Sequence, residues 1–278
     1  AALCWTDSCQ HGRQSYSENA RMSGRVDAGR VKKQNFRVFQ VMQSPKPDVM
    51  IVGHWNYPQE GGDNYRYPLK EFDGFSYVKT GEYAYRNPKD KTVYVIGSYD
   101  IAKVELFVNG EPVGTCDKPK STFVFPIEHV DITKSGVISA KAYDYDGKLV
   151  AEDRIETAGA PASLKLTGFT GEAGFLADGV DAAYIDIEVV DAEGRVCPLC
   201  DSKIDFMVEG PAQFLGGYNS GRFKGPDKDD NVIHKPYIYA ECGINRVFLR
   251  STRESGEVIV TATMQGENGD PIQAQVAF

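Results

Sequence analysis

Two short glycine-containing turns, each set among β-branched and aromatic residues, constrain the fold of this chain more than any other feature. Asn109-Gly110 joins the run Lys103–Val108 to Glu111–Thr115, and Asp146-Gly147 is predicted to be a second hairpin turn of the same type. Asn-Gly and Asp-Gly pairs favour two-residue hairpin loops, because both residues of such a loop adopt positive φ angles. The middle of the chain is therefore predicted to be antiparallel β structure.

Further strand candidates follow at the interval typical of β-sandwiches. Within Ala183–Asp191, apolar residues alternate with Asp186 and Glu188, which predicts a strand with one buried face and one solvated face. We predict a mainly β protein with two immunoglobulin-like β-sandwiches, at residues 48–158 and 159–278. The other strand candidates are Lys91–Tyr99, Ser121–Ile127, Gly136–Tyr145, Lys148–Thr157, Ala162–Gly168, Ile204–Val208, Arg246–Ser251, Gly256–Met264 and Ile272–Phe278.

The first part of the chain, residues 1–47, has a different pattern. Ala1–Thr6 is a short apolar run that predicts a buried strand, and Val31–Gln43 has apolar residues at helical spacing. The segment Ser44–Pro47 ends this helix, because a proline disfavours α geometry in the residue before it. One strand and one helix cannot bury their apolar faces against each other well enough to be stable alone. We therefore expect these residues to be the end of a domain that lies upstream.

Composition excludes several classes of protein. The chain has 31 basic and 39 acidic residues and a net charge of −8, so it lacks the basic surface of a general nucleic-acid-binding protein. No segment approaches the roughly 20 apolar residues that a membrane-spanning helix needs. Six cysteines in 278 residues are too few for a disulfide-based scaffold.

The order of several motifs resembles the C-terminal third of family 2 glycoside hydrolases, the β-galactosidase type in particular. The resemblance covers essentially the whole chain: the passage out of a catalytic barrel, the sandwich that follows it and an additional C-terminal sandwich. The matching residues are Val26-Asp27, Gln40–Pro47, Val52–Asn56, Val104–Gly110, Ser139–Tyr143, Thr157–Ala162, Ala177–Gly179, Ile187–Ala192 and Gly217–Asn219.

The resemblance implies that Ala1–Thr6 and Val31–Gln43 are the last strand and helix of a (β/α)₈ barrel. Active sites of such barrels lie at the C-terminal ends of the strands. The loop after the strand would then lie at the rim of a sugar pocket, where an indole suits a pyranose ring. The candidate substrate-binding residues are Trp5, Asp7, His11 and Arg13. A barrel-core position for Trp5 stays open.

The resemblance also implies where the chemistry resides. Retaining glycosidases use two carboxylates about 5 Å apart, and in this family that glutamate pair comes from the fourth and seventh barrel strands, upstream of Ala1. We therefore assign no catalytic residue, no metal and no cofactor here, and we predict that this chain alone is inactive. Its expected partners are the remainder of the barrel and a glycan substrate, and its sandwiches brace the barrel, shape the pocket rim or mediate homo-oligomerisation. The location expected from similar enzymes is extracytoplasmic.

An aromatic stretch between the helix and the first clear strand supports an alternative. Trp55, Tyr57, Tyr65 and Tyr67 lie in a segment with several glycines and prolines. They suit a glycan-stacking platform, as in a free-standing carbohydrate-binding or adhesion module of immunoglobulin-like domains. Packing at a domain junction also requires large amphipathic side chains and is the favoured interpretation.

Two further motifs have structural rather than catalytic interpretations. Cys197-Pro-Leu-Cys200 lies between predicted strands, without the βαβ context of a thioredoxin motif or a second CxxC spacing for zinc. A local disulfide or two plain thiols is therefore favoured over a metal site. The glycine-dense segment Gly216–Arg222 matches no phosphate-binding pattern and is predicted to be a turn.

Overall fold

The computed structural model of the chain describes residues 26, 29–32, 34–52, 90–117, 119, 122–131, 134–198, 200–219, 234–240 and 243–278. They form two compact units. One is Lys32–Thr157, and the other is Ala158–Phe278 together with the described residues before Lys32. The predicted domain limits at 47/48 and 158/159 stay predictions.

The first unit is a β-sandwich of two antiparallel sheets. One sheet has the order β1-β2-β5 and the other β4-β3-β6-β7. Alternate residues of both sheets point into one core, which includes Val95, Leu106, Phe125 and Ile138. Burial of this apolar surface is the main source of the unit's stability. The strands are β1 Val49–Ile51, β2 Lys91–Gly97, β3 Lys103–Val108, β4 Glu111–Cys116, β5 Val124–Val130, β6 Val137–Tyr143 and β7 Leu149–Glu156.

A helix, α1 (Gln34–Met42), packs against the first sheet of this unit. Val41 is fully buried against Met50 of β1 and Ile96 of β2, and it is supported by Val38 and Met42. The predicted helix is therefore confirmed, with its buried face on the sandwich that follows it. Its predicted place in a (β/α)₈ barrel stays a prediction, since residues 1–6 lie outside the described residues. No helix in the described ranges is long and apolar enough to cross a bilayer.

The two hairpin turns differ from each other. Asn109 and Gly110 have φ angles of 52° and 85°, as expected for a two-residue hairpin loop. At the β6–β7 turn only Gly147 has a positive φ, and the Asp144 side chain accepts hydrogen bonds from the backbone N–H groups of Asp146 and Lys148. The prediction of a second turn of the same type was wrong, because the Asp144 carboxylate stabilises a longer loop.

The second unit is also a β-sandwich. Its sheets have the orders β11-β13-β9-β8 and β12-β10-β14-β15, all antiparallel. Ile185, Ile204, Val247 and Val260 lie in the shared core with no more than a trace of exposed surface. The strands are β8 Ser163–Phe169, β9 Ala182–Val190, β10 Lys203–Glu209, β11 Ala212–Gly217, β12 Tyr237–Tyr239, β13 Ile244–Ser251, β14 Ile259–Gln265 and β15 Pro271–Ala277. The mainly β, two-sandwich prediction is confirmed.

The glycine-dense segment is not simply a turn. Gly216 and Gly217 end β11, next to a β-bulge, and a Cβ at Gly217 would lie 2.4 Å from the Arg246 carbonyl oxygen. Beyond them the Asn219 side chain donates to the Tyr239 carbonyl oxygen at 2.9 Å and accepts from the Tyr239 N–H at 3.0 Å. These bonds fix Asn219 against β12, and the missing side chain of Gly217 permits a close backbone approach. Residues 220–222 of the predicted turn lie outside the described residues.

Candidate functional site

The residues predicted to contact sugar lie outside the described residues. This holds for the barrel-rim set, Trp5, Asp7, His11 and Arg13, and for the aromatic platform, Trp55, Tyr57, Tyr65 and Tyr67. Both sets therefore stay predictions. The described residues contain other polar and aromatic clusters in both sandwiches, and the most extensive of them lie in the second sandwich.

The two cysteines of the CxxC motif are buried free thiols. Burial raises the pKa of the Cys197 thiol to about 12, and the nearby Cys200 and Asp191 act in the same direction. Burial likewise raises the pKa of Cys200. Because the thiolate is the reactive and metal-binding form, these cysteines are suited to packing rather than to redox or metal chemistry. The structure therefore shows two plain thiols at Cys197 and Cys200, and not a local disulfide.

Asp191 is a buried carboxylate that holds the start of the second sandwich. Its two oxygens accept hydrogen bonds from the backbone N–H groups of Gly159, Glu193 and Arg195 and from Nε of Arg195, at 2.7–3.1 Å. Burial acts to raise the pKa of Asp191, but the bonds from Gly159 and Arg195 outweigh it and lower the pKa to about 2. Its acceptor sites are filled, so Asp191 is suited to a structural role and not to proton transfer.

Arg246 of β13 is the centre of a second cluster, on the outer face of the β11-β13-β9-β8 sheet. Its guanidinium binds Asp186 of β9 through two bonds, Nε to Oδ1 at 2.5 Å and Nη2 to Oδ2 at 2.9 Å. Nη1 donates to the carbonyl oxygen of Gly29 at 3.0 Å. The guanidinium carbon lies 4.1 Å from the ring centre of Tyr184. Two-bond pairing of this kind fixes the orientation of both side chains.

Beside this ion pair, three aromatic residues form a row across the same face. The strand register places Phe169 of β8 and Phe248 of β13 directly opposite Tyr184 of β9. The rings of Phe169 and Tyr184 stack with centres 4.8 Å apart, and those of Tyr184 and Phe248 are tilted at 6.3 Å. Both distances lie in the range of favourable aromatic pairs.

The described geometry of this cluster does not match an acid–base site. The Asp186 carboxylate is already bound by a guanidinium, which opposes a role in proton transfer. Within the described parts of the chain, no group of three or more His, Cys, Asp or Glu side chains is arranged to hold a metal ion. An apolar aromatic row with one oriented arginine is typical of a surface that binds another group of the protein or a partner.

No sequence motif pointed to Arg246, and Asp186 was predicted to lie on a solvated face. The prediction for Asp186 was wrong in part: it points outward, yet only a third of its side chain is exposed and it is paired. The partner is 60 residues away in the sequence, so no local motif signals it. The sequence does indicate that Tyr184 and Arg246 point outward, because each of them alternates along its strand with core residues.

Comparisons with known proteins agree with this architecture. Residues 170–273, which span most of the second sandwich, match the sequence profile of the glycoside hydrolase family 2 C-terminal domain 5. The chain is 41% identical over 256 residues, or 92% of its length, to a β-glucuronidase of Formosa agariphila. It is 28% identical over 253 residues, or 90% of its length, to the β-galactosidase BoGH2A of Bacteroides ovatus. The chain spans only 22% and 25% of the length of these curated relatives.

Solved structures give the same result. A β-glucuronidase from glycoside hydrolase family 2 superposes with a TM-score of 0.71 at 37% identity, covering 93% of this chain and 23% of that one. A family 2 member from Bacteroides cellulosilyticus superposes with a TM-score of 0.70 at 22% identity, covering 94% of this chain and 33% of that one, which supports the fold alone.

The two sandwiches and the matched share of each relative define a two-sandwich portion of a larger protein. The chain belongs to glycoside hydrolase family 2 and is a C-terminal portion of such a protein. The resemblance stated from the sequence is confirmed at this level.

Proposed function

We propose that this chain is the accessory C-terminal part of a retaining β-glycosidase whose hydrolytic site lies in a catalytic barrel upstream. The observation that carries the proposal is the 41% identity to the Formosa agariphila β-glucuronidase, which extends over 92% of the chain. Retaining hydrolysis needs two carboxylates about 5 Å apart. The best-defined carboxylates of the second sandwich, Asp186 and Asp191, are both held by arginine side chains.

A β-glucuronide is the first candidate substrate of the whole enzyme. The sequence alone favoured a β-galactosidase, and relatives with that name, from Bacteroides ovatus and Thermoanaerobacter pseudethanolicus, are each 28% identical to this chain. The β-glucuronidase relative is 41% identical over 256 residues, whereas the two β-galactosidases match over 253 and 136 residues. The β-galactoside therefore stays as the second candidate.

The test is an activity comparison on the chain extended upstream through the catalytic barrel. We expect kcat/KM for nitrophenyl β-D-glucuronide to exceed that for the matched β-D-galactoside by at least roughly 10-fold, the size of one well-placed charged contact. The reverse preference would select the galactosidase candidate. If the folded extended protein hydrolyses neither substrate, the proposal is overturned and a binding or adhesion module is favoured.

We further propose that the enzyme acts outside the cytoplasm, in the periplasm or after secretion, and that its partners are an oligo- or polysaccharide and the rest of its own polypeptide. The proposal for location follows from the glycan substrate class of enzymes of this kind. Fractionation of the source cells tests it. Recovery of the protein with cytoplasmic markers would contradict it.

A further inference from the structure

We propose that the outer face of β8, β9 and β13 is a docking surface for the polypeptide that precedes Gly29. We call this surface the Tyr184 face and define it by Phe169, Tyr184, Asp186, Arg246 and Phe248. The occupant is residues 1–28 of this same chain.

One contact between this polypeptide and the Tyr184 face is observed directly. Arg246 Nη1 donates to the Gly29 carbonyl oxygen at 3.0 Å, across 217 residues of sequence. The Arg246 side chain is only 13% exposed, which is unusual for an arginine on the outer face of a sheet. The polypeptide around Gly29 therefore lies on the Tyr184 face already, and the chain before it continues from this point.

The aromatic ring of Tyr184 is covered on both of its faces. Phe169 stacks on it from β8, and the guanidinium of Arg246 lies on it from β13, on the opposite side of β9. A pyranose that stacks on an aromatic ring needs one free ring face. The central ring of this row does not offer one, which argues against a glycan as the occupant.

The charge of the Tyr184 face also favours a polypeptide as the occupant. The Asp186 carboxylate neutralises Arg246 with two hydrogen bonds, so the pair has little net attraction for an anionic ligand. The one acceptor outside the ion pair that the guanidinium contacts is a neutral backbone carbonyl, that of Gly29. Together with the apolar row, of which Phe169 is still 38% exposed, this chemistry fits a polypeptide that offers carbonyl oxygens and apolar side chains.

In the intact enzyme the Tyr184 face would then join the last sandwich to the end of the catalytic domain, a consequence that rests on the proposed function. The docking itself does not depend on glycosidase activity. The docking can therefore be tested on this chain without a substrate.

The experiment is site-specific photo-cross-linking in the full 278-residue chain. The cross-linking residue p-benzoylphenylalanine replaces Phe169 on the Tyr184 face. In a matched control it replaces Met207, which is 55% exposed on β10 of the other sheet of the same sandwich. Cross-linked peptides are identified by mass spectrometry after irradiation at a protein concentration low enough to suppress association.

We expect intramolecular cross-links from position 169 to peptides from residues 1–28, at least roughly 5-fold more abundant than those from position 207. Arg246→Ala should reduce them, whereas Arg253→Ala, a change at an exposed arginine of the same sandwich, should not. Equal yields from positions 169 and 207 would overturn the proposal. So would cross-links from position 169 that join two copies of the chain, because they assign the face to a second copy. An Arg246→Lys variant, which retains the charge, gives the same comparison if Arg246→Ala does not fold.

Discussion

Asp191 accepts a hydrogen bond of 2.8 Å from the backbone N–H of Gly159, 32 residues earlier in the chain. Gly159 lies in the segment that leads into the second sandwich, and Asp191 begins the loop after β9. The carboxylate side chain is only 1% exposed, so this bond is protected from water. One ionised group thus holds the start of the sandwich against its interior. A change at Asp191 should therefore have a large effect on the free energy of unfolding.

Asp191→Asn should reduce the free energy of unfolding of the second sandwich by about 3 kcal/mol, the scale of losing hydrogen bonds to a buried charged group. The amide NH₂ replaces one acceptor oxygen and would face N–H donors that the carboxylate now satisfies. Urea-induced unfolding of variant and parent measures the loss. Glu193→Gln is the matched control, because Glu193 pairs with the same arginine while largely exposed, and its effect should stay within about 0.5 kcal/mol. Equal effects of the two changes would contradict this role.

The stability contributed by Asp191 should depend on pH in a defined window. The pKa of Asp191 is lowered from 3.8 to about 2 in the folded state, so the contribution is fully present above the unfolded value. It is lost as pH falls from about 4 through about 2, and it amounts to on the order of 2 kcal/mol. The stability difference between parent and Asp191→Asn should therefore narrow over this range. A difference that stays constant down to pH 2 would contradict the assignment.

The helix α1 should stabilise the first sandwich through Val41. Val41→Ala removes two buried methyl groups next to Met50 and Ile96, and we expect a loss of about 1–3 kcal/mol, reduced slightly by the higher helix propensity of alanine. Gln40→Ala changes the neighbouring exposed position and should have little effect. Denaturant unfolding of both variants gives the comparison. A Val41→Ala variant as stable as the parent would mean that α1 contributes little to this unit.

The CxxC thiols should be unreactive in the folded protein. Alkylation requires a thiolate, and a pKa of about 12 leaves only a very small thiolate fraction of Cys197 at pH 8. Peptides containing Cys197 and Cys200 should stay unmodified by iodoacetamide under native conditions and react after unfolding. The partly exposed Cys116 serves as the internal comparison and should react earlier. Rapid native labelling of Cys197, or recovery of a disulfide or bound zinc, would contradict this.

The strands were predictable where their signals are local. Lys103–Val108 is β3 as predicted, because both its alternation and the following Asn109-Gly110 turn lie within a few residues. The strands β1, β11 and β12 were missed. β1 and β12 have three residues each and depend on pairing with distant strands, and β11 ends in two glycines that favour turns. The Asp146-Gly147 turn was assigned the wrong type, since its geometry depends on the Asp144 carboxylate.

The Tyr184 face was not predictable from local signals. Tyr184, Asp186 and Arg246 meet only because β9 and β13 pair with a particular register, and that register is set by the common core. The sequence of β9 correctly predicts that Asp186 points away from the core, but it contains nothing that specifies an arginine on a strand 60 residues later.

The most direct test of the proposed function compares the glycosidase activity of this chain with that of the same chain extended upstream through the proposed catalytic barrel. Both proteins are assayed with nitrophenyl β-D-glucuronide and β-D-galactoside, after folding is verified. We predict no turnover of either glycoside by the 278-residue chain and measurable turnover by the extended protein. Turnover by the 278-residue chain alone, abolished by changing a carboxylate within it, would contradict the account.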